Sequence, residues 1–413
     1  MTSFRPLRGF GPRAGKRFPL IPWVAVLLVV FVGARVGLAG TRSDTGASEF
    51  PGPAFLPRSV PEGALSIEAG IPVLQVAGSP EAMGRAAGTL VGEQVRFLTA
   101  HYLDVVIPPP LRPMALRMAR AMEPYIPQRY LEELGALAEA AGETREHVFL
   151  VATFLDLYRV LACSAFAAVP PATGEGSASC GLLARNLDFA TLGVAQHYSL
   201  VAVHHPQGFH SFLSVAWPGL PGVVSGMNEA GLTLVMLEVD DPDRGLAGIP
   251  YQLLYRRVLE ECETVAQAEE LIRLSPRTVA NNVLLLDGKG EAAVLEVSRS
   301  LVTRRGPEGG LLWATNHFRA RGALDGFTCW RYETLGRELG RRRGHLGASQ
   351  AAELLGMVNQ GALTMQSMVF LPGSMKLHLA FGEPPATSGR YVELDARALF
   401  AWLPRGTAGG KNP

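Results

Sequence analysis

The chain has 413 residues, 48% of them hydrophobic, and is therefore long enough to bury a large core in one large domain or two modest ones. Its 38 basic and 37 acidic residues leave a net charge of +1, which gives no support to nucleic-acid binding. The four cysteines are irregularly spaced and include no CxxC pair, so neither a zinc site nor a disulfide framework is indicated, and no cofactor is predicted.

The N-terminus has a basic flank followed by an apolar stretch. Five basic residues precede residues 18–34 (FPLIPWVAVLLVVFVGA), and the first acidic residue is Asp44. The stretch is at the short limit for crossing a hydrocarbon core of ~30 Å. Small residues around Ala39 match a signal-peptidase site, although Arg35 interrupts the approach to it. Residues 1–40 are therefore predicted to be a cleaved signal peptide or a retained membrane anchor, and either one exports the rest of the chain to the periplasm or the cell exterior.

Helical patterns dominate the part of the chain between a linker and Cys163. Residues 41–70 are rich in Gly, Pro, Ser and Thr and are predicted to be the linker. A helix is expected to start at Ser79, which is a good N-cap and is followed by Pro80. Residues 71–162 are therefore predicted to be a mainly helical segment. Its predicted helices cover residues 80–104, 112–123, 127–141 and 143–160.

Short strand-like runs become frequent after Cys163, in a segment predicted to extend over residues 163–403 and to be followed by a tail at 404–413. The predicted strands include residues 198–204, 211–216, 231–239, 282–287, 291–297, 311–315, 366–371 and 376–381. Helices are predicted near residues 249–261, 264–273, 329–340 and 348–358. Helices followed by strands, and then by helices among further strands, indicate an α+β layered domain.

Two apolar runs around a turn-rich loop predict a β-hairpin that begins at Cys163. The loop is centred near residue 175, so antiparallel pairing sets Cys163 opposite residue 186 or 187. This register brings the thiol near Arg185, which can lower its pKa, and near Asp188. Arg185 and Asp188 are three positions apart, so both reach the thiol only if the strand bends or ends there. Cys163 is therefore a candidate nucleophile.

A catalytic cysteine needs a general base, and none of the nine histidines has a recognisable local signature with a cysteine. A cysteine that becomes the first residue of a processed chain can use its own α-amine, which titrates near pKa ~8. Cys163 suits that solution because it starts its strand, after Ala162. Cys180 is the competing thiol, but the same hairpin register sets it far from Arg185 and Asp188.

Six segments resemble, in the same order, the acyl-coenzyme A:6-aminopenicillanic acid acyltransferase family of cysteine N-terminal nucleophile hydrolases. The resemblance covers roughly residues 71–318. The segments are residues 71–84 (IPVLQVAGSPEAMG), 132–142 (EELGALAEAAG), 163–164 (CS), 184–189 (ARNLDF), 226–232 (GMNEAGL) and 314–318 (ATNHF).

The resemblance implies a four-layer αββα fold and self-cleavage between Ala162 and Cys163, which would yield an α-chain and a catalytic β-chain that stay together. It implies that the Cys163 thiolate attacks the linear amide bond of a small-molecule N-acyl substrate, with the new α-amine as proton acceptor. Hydrolysis and acyl transfer both fit this chemistry. Arg185 and Asp188 match the pair that orients the nucleophile and its amine, and Asn316 matches an asparagine of the oxyanion hole.

Three positions fit the family pattern less well. Ala162 stands where many relatives have glycine before the nucleophile. Glu238 stands where the related choloylglycine hydrolases have an asparagine, and a carboxylate cannot donate to an oxyanion unless it is protonated. Arg331 matches a supporting arginine only in a loose alignment.

Two other functions stay open on the sequence alone. One is a catalytically inactive protein of the same fold that binds an acyl ligand, and the other is a thiol-redox protein that uses Cys163 and Cys180. If residues 18–34 are not cleaved, the membrane is a further partner. Structural roles are expected for Asn228 in a turn, and for Cys262 and Cys329 in the core.

Overall fold

The computed structural model describes residues 52–159, 161–174, 180–321 and 329–404. The predicted signal peptide or anchor at residues 1–40 lies outside the described residues, as does nearly all of the predicted tail. In the described ranges, no helix is both long and apolar enough to cross a membrane.

The described strands form two sheets. The ten-stranded sheet consists of β1 (Arg58–Val60), β2 (Gly63–Glu68), β3 (Ile71–Gly78), β6 (Leu200–Pro206), β7 (Phe212–Ala216), β8 (Ser225–Asn228), β9 (Thr233–Glu238), β10 (Asn281–Leu286), β11 (Ala292–Val297) and β12 (Val302–Arg305), in that spatial order. The six-stranded sheet consists of β13 (Leu311–Ala314), β4 (Ala162–Ala168), β5 (Leu182–Asp188), β14 (Thr364–Leu371), β15 (Lys376–Phe381) and β16 (Val392–Asp395), again in spatial order.

Strand β3 connects the two segments that the sequence separates at Cys163. It lies before Cys163 in the chain and pairs in parallel with β6, which lies after it. The mainly helical segment and the strand-rich segment therefore share the ten-stranded sheet. This sharing explains how a cut at Ala162–Cys163 could leave two chains associated.

Helices cover the outer face of each sheet. They are α1 (Pro80–Leu98), α2 (Asp104–Val106), α3 (Arg112–Ala119), α4 (Gln128–Ala141), α5 (Arg145–Leu157), α6 (Tyr251–Glu261), α7 (Val265–Leu274), α8 (Trp330–Arg341), α9 (Ala348–Met357) and α10 (Ala396–Phe400). Helix α1 packs against β2 and β3 of the larger sheet, whereas α8 and α9 pack against β13, β5 and β14 of the smaller sheet. The inner faces of the two sheets meet in one large apolar core. The structure therefore has the four-layer αββα architecture that the resemblance implies.

The layering accounts for the composition of the central strands. Strands β5 and β14 are buried at every position, because each has the other sheet on one face and helices on the other. Such strands do not alternate between apolar and polar residues, since neither face meets water. Polar residues in them, such as Arg185 and Asp188, must therefore find partners inside the protein.

Most predicted elements after Ser79 have a counterpart in the structure, but the predicted linker is partly wrong. Ser79 caps α1 by accepting a hydrogen bond from the Ala82 backbone N–H at 3.3 Å, as expected for its position before Pro80. Strands β1 and β2 fall inside residues 41–70, where a linker is predicted. The composition of these residues resembles that of a linker because β1 is the edge strand and β2 lies next to it, so that polar and small residues in both strands meet solvent.

Glycines on α1 allow it to approach α4 closely. A Cβ atom added at Gly84 would lie 2.1 Å from the backbone oxygen of Glu133. We expect Gly84→Ala to lower the free energy of unfolding by at least about 1–3 kcal/mol, because backbone atoms cannot yield as a flexible side chain does. Gly340→Ala is the matched control, since Gly340 is an exposed helical glycine with nothing within 4 Å of an added Cβ. Urea unfolding should show little change or a gain of up to about 1 kcal/mol for the control. Equal effects of the two substitutions would contradict the close-packing explanation.

Candidate active site

The predicted hairpin is formed by β4 and β5, and its register agrees with the prediction. Cys163 pairs with Leu187, so Ala162 pairs with Asp188 and Ala165 with Arg185. Paired residues point to the same face of a sheet, and faces alternate along each strand. Cys163 and Arg185 therefore share one face, which looks into the core between the sheets. Asp188 points to the other face, toward the outer helices.

Arg185 reaches the thiol of Cys163 directly. Its Nη2 donates to Cys163 Sγ at 2.8 Å, while Nη1 donates to the backbone oxygen of Val224 and to Ser225 Oγ, each at 2.7 Å. Both side chains are fully buried. Burial raises the pKa of the Cys163 thiol, and the nearby Arg185 charge offsets this only in part. In the intact chain the sulfur is therefore a buried thiol that an arginine orients. The Arg185 charge lowers the pKa of this thiol, as the sequence predicts, but burial raises it by more.

Asp188 does not contact the thiol. Its carboxylate accepts hydrogen bonds from Thr364 Oγ1 and from Gln360 Nε2, and it lies 3.8 Å from Arg331 Nη1. Burial raises the pKa of Asp188 despite these partners. The strand does not bend to bring Asp188 beside the sulfur, so this residue approaches the start of β4 from the opposite side of the sheet.

Asn316 holds the chain on both sides of the Ala162–Cys163 bond. Its Oδ1 accepts a hydrogen bond from the Cys163 backbone N–H at 2.8 Å. Its Nδ2 donates to the backbone oxygens of Leu161, at 3.3 Å, and Glu238, at 2.9 Å. Both donor hydrogens of the side-chain amide are therefore engaged in the intact chain.

Arg331, at the start of α8, completes this arrangement. It donates to the Cys163 backbone oxygen, to Ser164 Oγ at 3.1 Å and to Asn316 Oδ1 at 3.0 Å. The sequence assigns Arg331 only through a loose resemblance, since nothing in its local pattern points to β4. Its hydrogen bonds make it a positioning residue for both Cys163 and Asn316.

Glu238 lies at the end of β9 and contacts Leu161, the residue before Ala162. Its Oε2 accepts from the Leu161 backbone N–H at 2.8 Å, and its Oε1 accepts from the Tyr251 hydroxyl at 3.3 Å. Burial raises the pKa of Glu238 to about 8. It also raises the pKa of Asp156, which accepts a hydrogen bond from the Tyr251 backbone N–H, to about 7. Glu238 is therefore mostly protonated at neutral pH, which is the condition under which it can donate a hydrogen bond.

Two cavities meet at Leu161. The first is almost entirely apolar, with a volume of about 90 Å³, and its lining includes Leu187, the partner of Cys163. The rest of its lining includes Val95, Leu98, Tyr102, Leu103, Phe154, Phe189, Trp217 and Val224. The second cavity is polar, with a volume of about 410 Å³, and is lined by Leu161 together with Arg159, Glu238, Asp240, Arg244 and Asn316. The Leu161–Cys163 segment thus lies between an apolar compartment and a charged one.

Cys180, the competing thiol, lies outside this arrangement. Ala168 pairs with Leu182, so Cys180 lies beyond the far end of the hairpin, at least about 17 Å from Cys163 along the strand. A disulfide needs Cα atoms about 4.4–6.8 Å apart, so these two cysteines cannot form one in this fold.

Asn228 has a structural role, since its Oδ1 accepts from the Leu232 backbone N–H and its Nδ2 donates to the backbone oxygens of Leu259 and Cys262. Among the described residues, no group of three or more His, Cys, Asp or Glu is arranged to hold a metal ion.

The chain matches a known family in its central part. Residues 174–339 match the sequence model described as acyl-coenzyme A:6-aminopenicillanic acid acyl-transferase. The matched range contains Arg185, Asp188, Asn316 and Arg331, and it begins after Cys163.

Two curated proteins are similar to this chain. An uncharacterized protein of Archaeoglobus fulgidus is 28% identical over 262 residues, covering 55% of this chain and 43% of that protein. Protein dcd1B of Dictyostelium discoideum is 28% identical over 267 residues, covering 56% of this chain and 51% of that protein. The chain therefore spans about half the length, or less, of the curated relatives it matches.

Solved structures with some similarity include three hydrolases. A Caenorhabditis elegans ortholog of N-acylethanolamine-hydrolyzing acid amidase has 18% identity and a TM-score of 0.40, covering 51% of this chain and 93% of that one. A mutant conjugated bile acid hydrolase from Clostridium perfringens has 12% identity and a TM-score of 0.39, covering 59% and 94%. Penicillin V acylase from Agrobacterium tumefaciens has 13% identity and a TM-score of 0.38, covering 53% and 83%. The sequence match over residues 174–339 confirms the resemblance to the acyl-coenzyme A:6-aminopenicillanic acid acyltransferase family.

Proposed function

We propose that this protein is an exported, self-processing cysteine hydrolase or acyltransferase that acts on the linear amide bond of N-acyl compounds. The reaction proceeds through an acyl-enzyme on Cys163, after cleavage of the Ala162–Cys163 bond. The single observation that carries the proposal is the way the chain is held at this bond. Asn316 binds the backbone of both Leu161 and Cys163, while Arg185 binds the sulfur.

Self-cleavage begins with attack of Cys163 Sγ on the carbonyl carbon of Ala162. A carbon–sulfur bond forms as the carbon–nitrogen bond breaks, and the nitrogen of Cys163 takes up the proton that the thiol loses. Water then hydrolyses the resulting thioester, which leaves a carboxylate on Ala162 and a free thiol and α-amine on Cys163. Arg185 stabilises the developing thiolate, because it already donates to the sulfur at 2.8 Å.

The new α-amine is the general base of the mature enzyme. In the intact chain this nitrogen is an amide and cannot accept a proton, whereas a free α-amine titrates near pKa ~7.7–8.0. The amine stays within reach of Asn316 Oδ1, which accepts its hydrogen bond at 2.8 Å before cleavage. It takes the proton of the Cys163 thiol as the sulfur attacks the substrate carbonyl, and it returns a proton to the leaving amine. Water or a second amine then resolves the acyl-enzyme.

Cleavage also releases the groups that would stabilise the oxyanion. Leu161 engages two of them in the intact chain, since its backbone oxygen accepts from Asn316 Nδ2 and its backbone N–H donates to Glu238. Movement of the new chain end away from β4 frees an amide N–H of Asn316. It also frees Glu238, whose proton is retained at neutral pH because burial raises its pKa to about 8. Both can then donate to the tetrahedral intermediate.

The two cavities at Leu161 indicate the substrate class. The apolar cavity borders Leu187, beside Cys163, and suits an apolar acyl group. The polar cavity is lined by Arg159 and Arg244 as well as by Glu238 and Asp240, and it suits the polar amine part of the substrate. Export is proposed from the basic flank and apolar stretch of residues 1–40, with residues 18–34 as the membrane anchor if they are retained.

The inactive ligand-binding alternative is favoured by one observation, the raised pKa of the buried Cys163 thiol in the intact chain. A protein that never cleaves itself would keep this thiol unreactive and would use the apolar cavity only to bind an acyl ligand. The two functions therefore differ in whether the chain is cut.

Denaturing gel electrophoresis with intact-mass measurement tests the proposal. Residues 163–413 are 251 of the 413 residues, so the larger product should have about 27 of the 44.2 kDa and begin at Cys163. Cys163→Ala should remain one chain and should not hydrolyse N-acyl amides. Cys180→Ala, at the far end of the same hairpin, is the matched control and should cleave normally. A single-chain protein that hydrolyses amides would refute self-processing, and activity in Cys163→Ala would refute the nucleophile.

A further inference from the structure

A second group of polar side chains lies next to the Cys163 site; its hydrogen-bonding side chains are separate from that site, although the charge of Arg331 lowers the pKa of both thiols. Cys329 is the residue before α8, and its side chain contacts those of Thr315 and His317, which follow β13 in the chain. Thr315 Oγ1 donates to Cys329 Sγ at 3.5 Å and lies 3.0 Å from His317 Nδ1, and a hydrogen bond joins His317 to the sulfur. The predicted core position of Cys329 is wrong, because the residue is partly exposed. Cys262, in contrast, is buried, as predicted.

The surroundings of Cys329 favour its thiolate. Burial alone would raise the pKa of the thiol, but the hydrogen bonds from His317 and Thr315 outweigh this effect and lower it to about 6. The position before the first turn of α8, a helix of 12 residues, also favours a negative charge. Burial instead raises the pKa of Cys262 to about 12. Exposure, a histidine partner and a helix N-terminus are the features that distinguish reactive cysteines from buried structural ones.

The loop that carries Thr315 and His317 is held firmly in place. Asn282 Nδ2, from β10, donates to the backbone oxygens of both residues at 2.9 Å. The His317 ring also packs edge-on against Tyr332 of α8, with ring centroids 5.2 Å apart. Contacts to a neighbouring strand and to the helix that follows Cys329 therefore fix the histidine beside the sulfur.

We propose that Cys329, together with His317 and Thr315, forms a second thiol site that hydroperoxides modify to cysteine sulfenic acid. The Cys329 thiolate attacks one oxygen of the peroxide, so that a sulfur–oxygen bond forms as the oxygen–oxygen bond breaks. The sulfur is oxidised by two electrons, and the peroxide is reduced to the sulfenic hydroxyl and a hydroxide or alkoxide. The proton that the thiol loses passes through His317 to this leaving group, which departs as water or an alcohol. The site does not depend on the proposed function of Cys163.

The pH dependence of alkylation tests this site. Full-length protein, with and without Cys163→Ala, is pulsed with iodoacetamide between pH 5 and 9, and peptide mass spectrometry measures labelling of each cysteine. The half-maximal rate for Cys329 is expected near pH 6 in both proteins. His317→Gln should move it upward by at least one pH unit, and Thr315→Val should move it in the same direction. Cys262 is the internal control and should stay unlabelled while the protein is folded.

Oxidation is then measured with hydrogen peroxide and dimedone, which traps sulfenic acids. The adduct is expected on Cys329 in the parent protein and in Cys163→Ala, and the yield should fall several-fold in His317→Gln. A midpoint above pH 8 for Cys329 in the parent protein would overturn the proposal, and that result does not depend on whether the variants fold. Absence of the dimedone adduct on Cys329 would overturn it as well. Because both readouts are made in Cys163→Ala too, failure of self-cleavage does not alter them.

Discussion

Asn316→Asp is expected to slow cleavage of the Ala162–Cys163 bond by about 10²-fold, the usual effect of misplacing reacting atoms by about 1 Å. Aspartate keeps an oxygen that accepts from the Cys163 N–H and from Arg331. It lacks the Nδ2 donor, and it places a carboxylate oxygen against the backbone oxygens of Leu161 and Glu238. Repulsion there should move Leu161 and misalign the bond that Cys163 attacks. Cell-free synthesis of the chain, with gel samples taken over time, measures the rate.

Asn228→Asp is the matched control for this substitution. Its Nδ2, like that of Asn316, donates to two backbone oxygens, here those of Leu259 and Cys262; Asn228 is fully buried, whereas Asn316 is partly exposed. The control should lower the free energy of unfolding by at least as much as Asn316→Asp, because its lost donor is more deeply buried. The molecules that fold should nevertheless cleave at the parent rate. If Asn228→Asp slowed cleavage as much as Asn316→Asp, general destabilisation would explain both results, and the role of Asn316 would be refuted.

The hairpin around Cys163 could be predicted from the sequence because its information is local. The centre of the turn-rich loop fixes the register, and the observed pairing of Cys163 with Leu187 agrees with it. Alternation of faces along β5 then decides which of Arg185 and Asp188 lies on the same face as Cys163. Residues an odd number of positions apart on a straight strand point to opposite faces, so only Arg185 reaches the sulfur.

The partners of Cys163 from distant parts of the chain could not be predicted in this way. Arg331 lies 168 positions from Cys163 and contacts it only because α8 packs on the hairpin. The pKa of the Cys163 thiol depends on how completely the two sheets bury it. No sequence pattern gives the extent of that burial, because a strand covered on both faces is apolar throughout. Cys329 shows the opposite error. A cysteine is usually a buried small hydrophobe, but this one is partly exposed at the residue before α8.

Glu238→Gln is expected to change how stability depends on pH. Burial raises the pKa of Glu238 to about 8 in the folded chain, whereas an unfolded glutamate titrates near ~4.3. Between these values the folded chain binds more protons than the unfolded one, so its free energy of unfolding falls as pH rises. Glutamine carries no titrating proton and removes this loss. Relative to the parent protein, the variant should therefore gain about 3–4 kcal/mol of unfolding free energy between pH 5 and pH 8.

Urea unfolding at pH 5, 6.5 and 8 measures this difference, with both proteins carrying Cys163→Ala so that each remains one chain. At pH 5 the two should differ by about 1 kcal/mol or less, because glutamine replaces a neutral carboxyl of nearly the same shape. Glu353→Gln, the same exchange at an exposed position of α9, is the control and should leave the pH dependence unchanged. Parallel stability curves for Glu238→Gln and its parent would mean that Glu238 is already ionised at pH 5. The carboxyl could not then donate a hydrogen bond to the oxyanion at neutral pH, and that role would pass to Asn316 and to backbone N–H groups.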